Sequence, residues 1–324
     1  MTTVERIDPA APSVFEAFYD AYSRSFNREF DQPYTSIELA VDMVPDEYNA
    51  TTAHIARDDD GAVVGGAWAE LPIKDNVTFA YGEVFVVPEQ RRQGHGTALV
   101  DSLATACAEA GRSTLLCEGA WGVDDHVAPA KRFAEQAGFT LEIMDAHREL
   151  LLPAKLPPLT IDPAYEIRSW RGACPEELVD GYADVRRLMV QEAPSGDSGL
   201  ENEHWDAARI RSEEAKWEKS GRVPQVSVAI AGDGSVVGHT QLVFPRDSVE
   251  VYQWDTLVLA SHRGHGLGLA LKVCTMHESE DLLNGRRRIH TYNAASNQHM
   301  IAVNEAMGFR QVAWLAEYVR ALDG

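Results

Sequence analysis

The sequence predicts an α/β (α+β) protein in which one fold is used twice, and three observations carry that reading. At 324 residues with 45% hydrophobic content, the chain exceeds the roughly 250–300 residues over which a single core grows, so two compact units are expected. Arg91-Arg92-Gln93-Gly94-His95-Gly96 and Arg263-Gly264-His265-Gly266-Leu267-Gly268 repeat the pattern Arg-x-x-Gly-x-Gly 172 residues apart. Gly138-Phe139 and Gly308-Phe309 recur 170 residues apart. Two unrelated landmarks at nearly one offset are hard to obtain by chance.

The elements follow in the same order twice. Helical segments come first, Ala11 to Phe26 in one copy and Pro175 to Glu192 with Glu203 to Lys219 in the other, each followed by strand pairs. Runs rich in aromatic and β-branched residues, Phe79 to Val87 and Val249 to Leu259, read as strands that feed the glycine loops. Beyond the loops, Leu99, Leu103, Ala106 and Ala110 fall on one helical face, as do Leu267, Leu271 and Cys274. Short strands follow, Ser113 to Glu118 and Arg288 to Tyr292, then helices Ala128 to Ala137 and Gln298 to Met307, closed by the Gly-Phe pairs. Three prolines in Leu152-Pro153-Ala154-Lys155-Leu156-Pro157-Pro158 fix φ and remove donors. The predicted division is therefore an N-terminal domain over 1–152, a linker over 153–164 and a C-terminal domain over 165–324.

Composition narrows the function. Against 29 Lys and Arg stand 50 Asp and Glu, a net charge of −21, which repels phosphate backbones and anionic lipid. No apolar run approaches the ~18 residues of a membrane span, and the N-terminal residues lack the basic flank and apolar core of a signal peptide. A cytoplasmic protein that binds neither nucleic acid nor membrane is expected. Cys107, Cys117, Cys174 and Cys274 form no Cys-x-x-Cys pair, so they are read as reduced filler, and no metal ligand set is assigned.

The glycine loops carry the chemistry. A pyrophosphate seeks backbone N–H donors converging at a helix N-terminus, where the dipole favours negative charge. Glycine at 94, 96, 266 and 268 keeps Cβ atoms away from such a group and permits positive φ. A dinucleotide fingerprint does not fit, because neither copy has Gly-x-Gly-x-x-Gly after the first strand of a βαβ unit.

On these residues the chain resembles the GNAT N-acetyltransferases, whose acetyl-CoA signature is Arg/Gln-x-x-Gly-x-Gly/Ala between the fourth strand and third helix; the tandem layout resembles that of the mycothiol synthases. The resemblance implies two GNAT-like domains, each a mixed, mainly antiparallel sheet flanked by helices and splayed between its fourth and fifth strands, where acetyl-CoA enters. It implies cofactor contacts at Arg91, Arg92, Gln93, Gly94, His95 and Gly96, and at Arg263, Gly264, His265, Gly266, Leu267 and Gly268. Backbone N–H groups near Phe85, Val86 and Val87, and near Leu257, Val258 and Leu259, would grip the acetyl carbonyl and the pantetheine amide. Asn293 and Asn297 match positions where the family holds an asparagine against pantetheine.

Acetyl transfer to an amine needs a neutral nucleophile, a donor for the developing oxyanion and a proton for the leaving thiolate. Asp255 and Glu83 occupy equivalent places on the fourth strands and are the leading candidate bases, with His239, Glu250 and Glu118 in reserve. The family's general-acid tyrosine, four residues before the Gly-Phe pair, is replaced by Ala134 and Asn304. Tyr292 is the nearest alternative phenol, water is another proton source, and Asn304 could hydrogen-bond the sulfur.

The C-terminal copy holds the fuller set, with Asp255, the stretch from Asn293 to Asn304 and an intact loop, and is expected to be the active half. The acidic surface favours a small cationic amine as acceptor; the loop Gln191 to Asp197 sits where the resembled family has its acceptor wall, with Trp205, Asp206 and Arg209 following on a helix, and an ordinary helix-to-helix connection around a core tryptophan is the alternative reading. A monomer or homodimer is expected. The alternatives are a non-catalytic acyl-CoA-binding or scaffolding module, or a transferase with another acyl donor.

Overall fold

The computed structural model describes residues 2–125, 128–192 and 199–322. In chain order the elements are β1 (Thr3–Ile7), α1 (Pro12–Ser25), α2 (Ser36–Asp42), β2 (Asn49–Arg57), β3 (Val63–Pro72), β4 (Phe79–Val86), α3 (His95–Glu109), β5 (Thr114–Gly122), α4 (Pro129–Gln136), β6 (Thr140–Leu151), β7 (Tyr165–Arg171), α5 (Val179–Arg187), α6 (Met189–Glu192), α7 (Ala207–Lys219), β8 (Arg222–Ala231), β9 (Val236–Pro245), β10 (Glu250–Val258), α8 (Leu267–His277), α9 (Glu280–Leu283), β11 (Arg288–Ala294), α10 (Gln298–Met307) and β12 (Arg310–Ala321). They form two compact units, one of Met1–Met144 with Trp314–Gly324, the other of Asp145–Ala313.

In the first unit the strands run in the order β1-β2-β3-β4-β5-β12. β1 to β4 are antiparallel neighbours, and β4 and β5 are parallel. Helix α1 starts on Pro12, whose missing N–H costs nothing in a first turn, and α2 starts on a capping box between Thr35 and Glu38. Phe18 and Tyr22 of α1 meet the edge of the Phe85 ring at 5.0 and 5.3 Å. Two adjacent glycines show how closely the helices approach β3: a Cβ on Gly66 would lie 2.6 Å from Phe18, and one on Gly65 would lie 3.2 Å from Leu99 of α3. Because successive strand residues face opposite sides, α1 and α3 cover opposite faces of this sheet.

The second unit repeats the plan in the order β6-β11-β10-β9-β8-β7, with β10 and β11 its parallel pair. One face buries Leu150, Leu242, Phe244, Val251, Val273, Met276, Ile289, Met307 and Phe309; the other buries Trp170, Tyr182, Ile210, Val226 and Val228. Lys272 is buried in the first of these layers, its Nζ 5.8 Å from the centre of the Phe309 ring, and burial lowers its pKa to about 7.

The compact units do not follow the sequence boundaries 1–152 and 165–324. Residues Asp145 to Leu151 of β6 pair with Ala294 to Arg288 of β11 in the second unit, and the chain's last strand returns to the first. There Leu322 donates its N–H to the Ser113 carbonyl at 2.8 Å, and Ala316 and Tyr318 enter the core with Leu99, Leu115 and Trp121. The final strand of each repeat thus completes the other repeat's sheet. The proline-rich segment expected as linker, 153–164, lies wholly within the second unit's residue range. Alternating hydrophobicity marks a segment as a strand without naming its partner, which is why the exchange was not foreseen.

Candidate functional site

Both units present a splay at the predicted place. In the first, β4 and β5 pair from Phe79–Thr114 to Gly82–Cys117, after which β4 continues in register with β3 through Val86. In the second, β10 and β11 pair from Glu250–Arg288 to Tyr252–His290, and β10 then runs on along β9 to Val258.

The two splays differ in one respect. β4 keeps an unbroken register with β3, whereas the β10–β9 register shifts between Gln253 and Thr256, leaving an extra residue on β10 at Trp254 and Asp255. Such a bulge re-aims side chains and interrupts pairing. At the ends of the two strands, Val87 donates to Val64 O and Leu259 to Val237 O, each at 2.9 Å. These two N–H groups, expected to face the cofactor, are engaged by neighbouring strands. Alternation along the ladder turns the N–H groups of Val86 and Val258 to the splayed side. Phe85 and Leu257 belong to the buried core.

The glycine loops sit at the starts of α3 and α8. Gly94 and Gly266 precede the first helical residues with φ of 93° and 72°, and a Cβ on either would meet no protein atom within 4 Å. Two residues earlier in each loop, Gly264 has φ 89° and its counterpart Arg92 has φ 66°, so the first copy accepts a left-handed residue with a side chain, at a cost of about 1 kcal/mol. A polar backbone surface therefore opens in front of each helix N-terminus, as an anion cradle requires. Gly96 serves packing, since a Cβ there would lie 3.1 Å from the Phe133 ring.

The motif arginines turn away from the cradle. Arg91 donates from Nε to Val86 O at 2.9 Å and from Nη2 to Ser25 O at 2.8 Å; Arg263 donates to Val258 O at 3.1 Å and to Glu192 Oε2 at 2.7 Å. Each braces its loop against the preceding strand and against the last residue of a helix, Ser25 of α1 or Glu192 of α6. His95 reaches Thr2 Oγ1 at 3.1 Å, Gln93 bonds Gln90, and Leu267 is a core residue. His265 contacts Asp162 at 2.7 Å. Beside it a cavity of about 430 Å³ is lined by Asp162, His265, Gly266, Leu269 and Val273 among others.

Glu83 and Asp255 stand in different surroundings. Glu83 is half-buried on β4 and accepts a hydrogen bond from Trp68 Nε1 at 3.0 Å. Loss of water pushes its pKa up to about 7, against the smaller pull of that bond. Its charge therefore opposes folding once the unfolded chain's glutamate, near 4.5, ionises. Stability from the protonated form is complete below that pH, is lost as pH rises toward 7, and is level above. Glu83→Gln is expected to remove this loss, at most about 3 kcal/mol. Thermal melts should coincide with the parent near pH 4 and rise above it at pH values beyond about 7.

Asp255 instead faces Arg186 of α5 at 3.6 Å. Arg186 is buried, with Nη1 and Nη2 donating to Glu213 at 2.9 and 3.0 Å, and its guanidinium lies 4.0 Å from the centre of the Trp205 ring. Burial opposes this charge, but Glu213, Tyr182 and Asp255 outweigh it and hold Arg186 well above its ordinary pKa. Behind them His239 is fully buried, its ring edge-on to Tyr182 at 5.5 Å. Burial, then Arg186, drives its pKa well down, which leaves a neutral imidazole whose two nitrogens have no hydrogen-bond partner among the described residues. Strand register matches His239 and Gln241 to Gly66 and Trp68 in the first unit, on the face that α1 covers.

Asn304 is fully buried and its Nδ2 donates to Asn293 Oδ1, so two of the expected asparagines act as one unit. Asn297 caps α10 through Met300 N at 3.1 Å. Tyr292 is 38% exposed and stacks on His147 at 4.6 Å. Of the expected acceptor loop, 193–197 lies outside the described residues. Arg186 and Glu213, which surround Asp255, were not anticipated: they come from two different helices, and only their helical spacing was visible in the sequence.

Comparison with known proteins gives one consistent answer. The acetyltransferase (GNAT) family pattern matches residues 13–139 and 188–309. The chain is similar to the mycothiol acetyltransferase of Thermomonospora curvata, at 28% identity over 258 residues, 79% of this chain and 78% of that protein. Among solved structures it is similar to a tandem GNAT protein from the clavulanic acid biosynthesis pathway, with TM-score 0.81 and 20% identity over 100% of this chain and 99% of that one. It is also similar to a GCN5-related N-acetyltransferase from Sphaerobacter thermophilus, with TM-score 0.68 and 15% identity over 100% and 96%. Two family matches on one polypeptide, a whole-chain likeness to a tandem GNAT fold and twin splays with twin glycine loops at helix N-termini agree that this chain belongs to the GNAT family and is a tandem N-acetyltransferase.

Proposed function

We propose that the second unit transfers an acetyl group from acetyl-CoA to the primary amine of a small cationic molecule, directly and within a ternary complex. The observation that carries this reading is the bulge in β10, which places Asp255 at the splay beside a helix-borne cation–anion pair, where β4 has an unbroken ladder and an aromatic layer. The cradle at Gly264 and Gly266 fits a pyrophosphate, since it is open, polar and at a helix N-terminus. Acetyl-CoA would supply the activated acyl carbon.

The chain's own groups have separate tasks. The Val258 N–H, turned to the splay, would hold the acetyl carbonyl and stabilise charge developing on it. Asp255, oriented by Arg186, would bind the acceptor ammonium and take its proton. Arg186 and Glu213 fix the carboxylate in place. The Asn293–Asn304 pair would face the pantetheine arm, and the Tyr292 hydroxyl or water would give the leaving thiolate its proton. The same assignment favours a soluble protein that works on a small molecule and acts as a monomer or homodimer.

A second reading rests on Glu83, whose pKa near 7 suits a general base at neutral pH. In that case the first unit would perform the chemistry.

The cradle is testable by itself. Gly266→Asp keeps a residue type that tolerates left-handed φ and sets a carboxylate where the pyrophosphate would bind. Calorimetric titration with acetyl-CoA is expected to show affinity for the second unit reduced about tenfold or more. Unchanged affinity in the folded variant removes the assignment.

A further inference from the structure

The second unit holds a group of side chains that acetyl transfer leaves unused. We propose that His147, Glu149 and His290 bind one divalent first-row transition ion, zinc before the others. His147 and Glu149 lie two residues apart on β6 and so share a face, and β11 sets His290 opposite Glu149 and Tyr292 opposite His147. One donor atom from each of the three lies within 4.8 Å of the others. His147 Nε2 and His290 Nδ1 are 3.0 Å apart, and His290 Nδ1 is 3.6 Å from Glu149 Oε1. Ligands about 2.0–2.1 Å from a tetrahedral zinc stand about 3.3 Å from each other, so these two separations bracket the required edge. All three side chains are buried.

The surrounding shell is that of a metal site. The other ring nitrogen of His290 donates to Glu250 Oε2 at 2.9 Å, the carboxylate–histidine arrangement that fixes a tautomer and points the remaining lone pair at the metal. Glu149 is held by Arg288 Nη1 at 2.9 and 3.0 Å, and Arg288 Nε reaches Glu250 at 3.3 Å. A carboxylate oxygen has a second lone pair, so Glu149 can accept from Arg288 and still ligate. Between the imidazoles, the place now bridged by a hydrogen bond is the place a metal would take. Two nitrogens and one oxygen select zinc-like ions over magnesium and calcium, which prefer oxygen alone. The ligands come from strands 141 residues apart in sequence (149 to 290), which is why no metal spacing shows in the chain.

The test uses the untagged full-length protein, stripped with chelator and titrated with Co²⁺ and then Zn²⁺. The expected result is one equivalent per chain, an intense visible band of low-coordinate Co²⁺ that Zn²⁺ erases, and its loss in His147→Asn and His290→Asn. Glu250→Gln, which removes no ligand, should weaken binding about 10–100-fold, while His204→Gln and His299→Gln at exposed positions should not. Should the ligand variants fail to fold, X-ray absorption on the zinc-loaded parent decides: two imidazole nitrogens and an oxygen support the site. Absence of stoichiometric binding, a shell without imidazole, or binding that survives loss of both histidines overturns it. None of these outcomes depends on which half acetylates.

Discussion

A polypeptide beginning at Pro163 is expected not to fold, although it contains the complete second sequence repeat. It lacks Asp145 to Leu151, which fill seven register positions along β11. It also lacks Leu150, which packs with Val251, Ile289 and Phe309, and the Glu149 carboxylate that pairs with buried Arg288. Removing a buried leucine costs about 2–5 kcal/mol, and leaving a buried charge without its partner about 3–5 kcal/mol. Together these approach the whole stability of a typical domain, about 5–15 kcal/mol. A fragment ending at Leu152 loses Ala316 and Tyr318 from its core in the same way. Circular dichroism and thermal melts of both fragments should show no cooperative transition near that of the intact chain, and adding a peptide spanning 140–152 should restore part of the C-terminal fragment's signal. A fragment from Pro163 that melts like the parent and binds acetyl-CoA would show that the exchanged strand is dispensable.

The parts of this structure that were legible in the sequence are those fixed by local chemistry. Gly94, Gly264 and Gly266 announce themselves because their backbone requires positive φ, and the strand, loop and helix around each follow from short-range periodicity. The helix Gln298–Met307 lies where the apolar spacing set it. What depends on the partner chosen by a side chain or a strand was not legible. Arg91 and Arg263 are expected among the cofactor contacts, and the motif does not show that their guanidinium groups brace the carbonyls of Val86 and Val258. β6 carries the alternation of a strand but not the address of its neighbour β11. Glu83 and Asp255 occupy equivalent sequence positions, and only the fold reveals that one is set against the Trp68 indole and the other beside Arg186. The bulge that separates the two splays adds one residue to β10, an irregularity that a pattern of period two absorbs without trace.

Exchange of the two carboxylates for amides is expected to divide the halves sharply. Asp255→Asn removes the anion that would bind the amine and accept its proton, while the amide still occupies the site and Arg186 remains held by Glu213. A general base contributes about 10²–10⁴-fold, so turnover should fall by about that factor with acetyl-CoA affinity nearly unchanged, the signature of an interaction made in the transition state. Glu83→Gln keeps an acceptor for the Trp68 N–H, and its effect should be confined to the stability of the first unit. The measurement that tests the account most directly is thiol release from acetyl-CoA with a panel of small cationic amines, run side by side on the parent, Asp255→Asn and Glu83→Gln. Loss of release in Asp255→Asn with near-parent rates in Glu83→Gln is the predicted result; parent-like release in Asp255→Asn with abolition in Glu83→Gln would place the chemistry in the first unit and contradict the assignment.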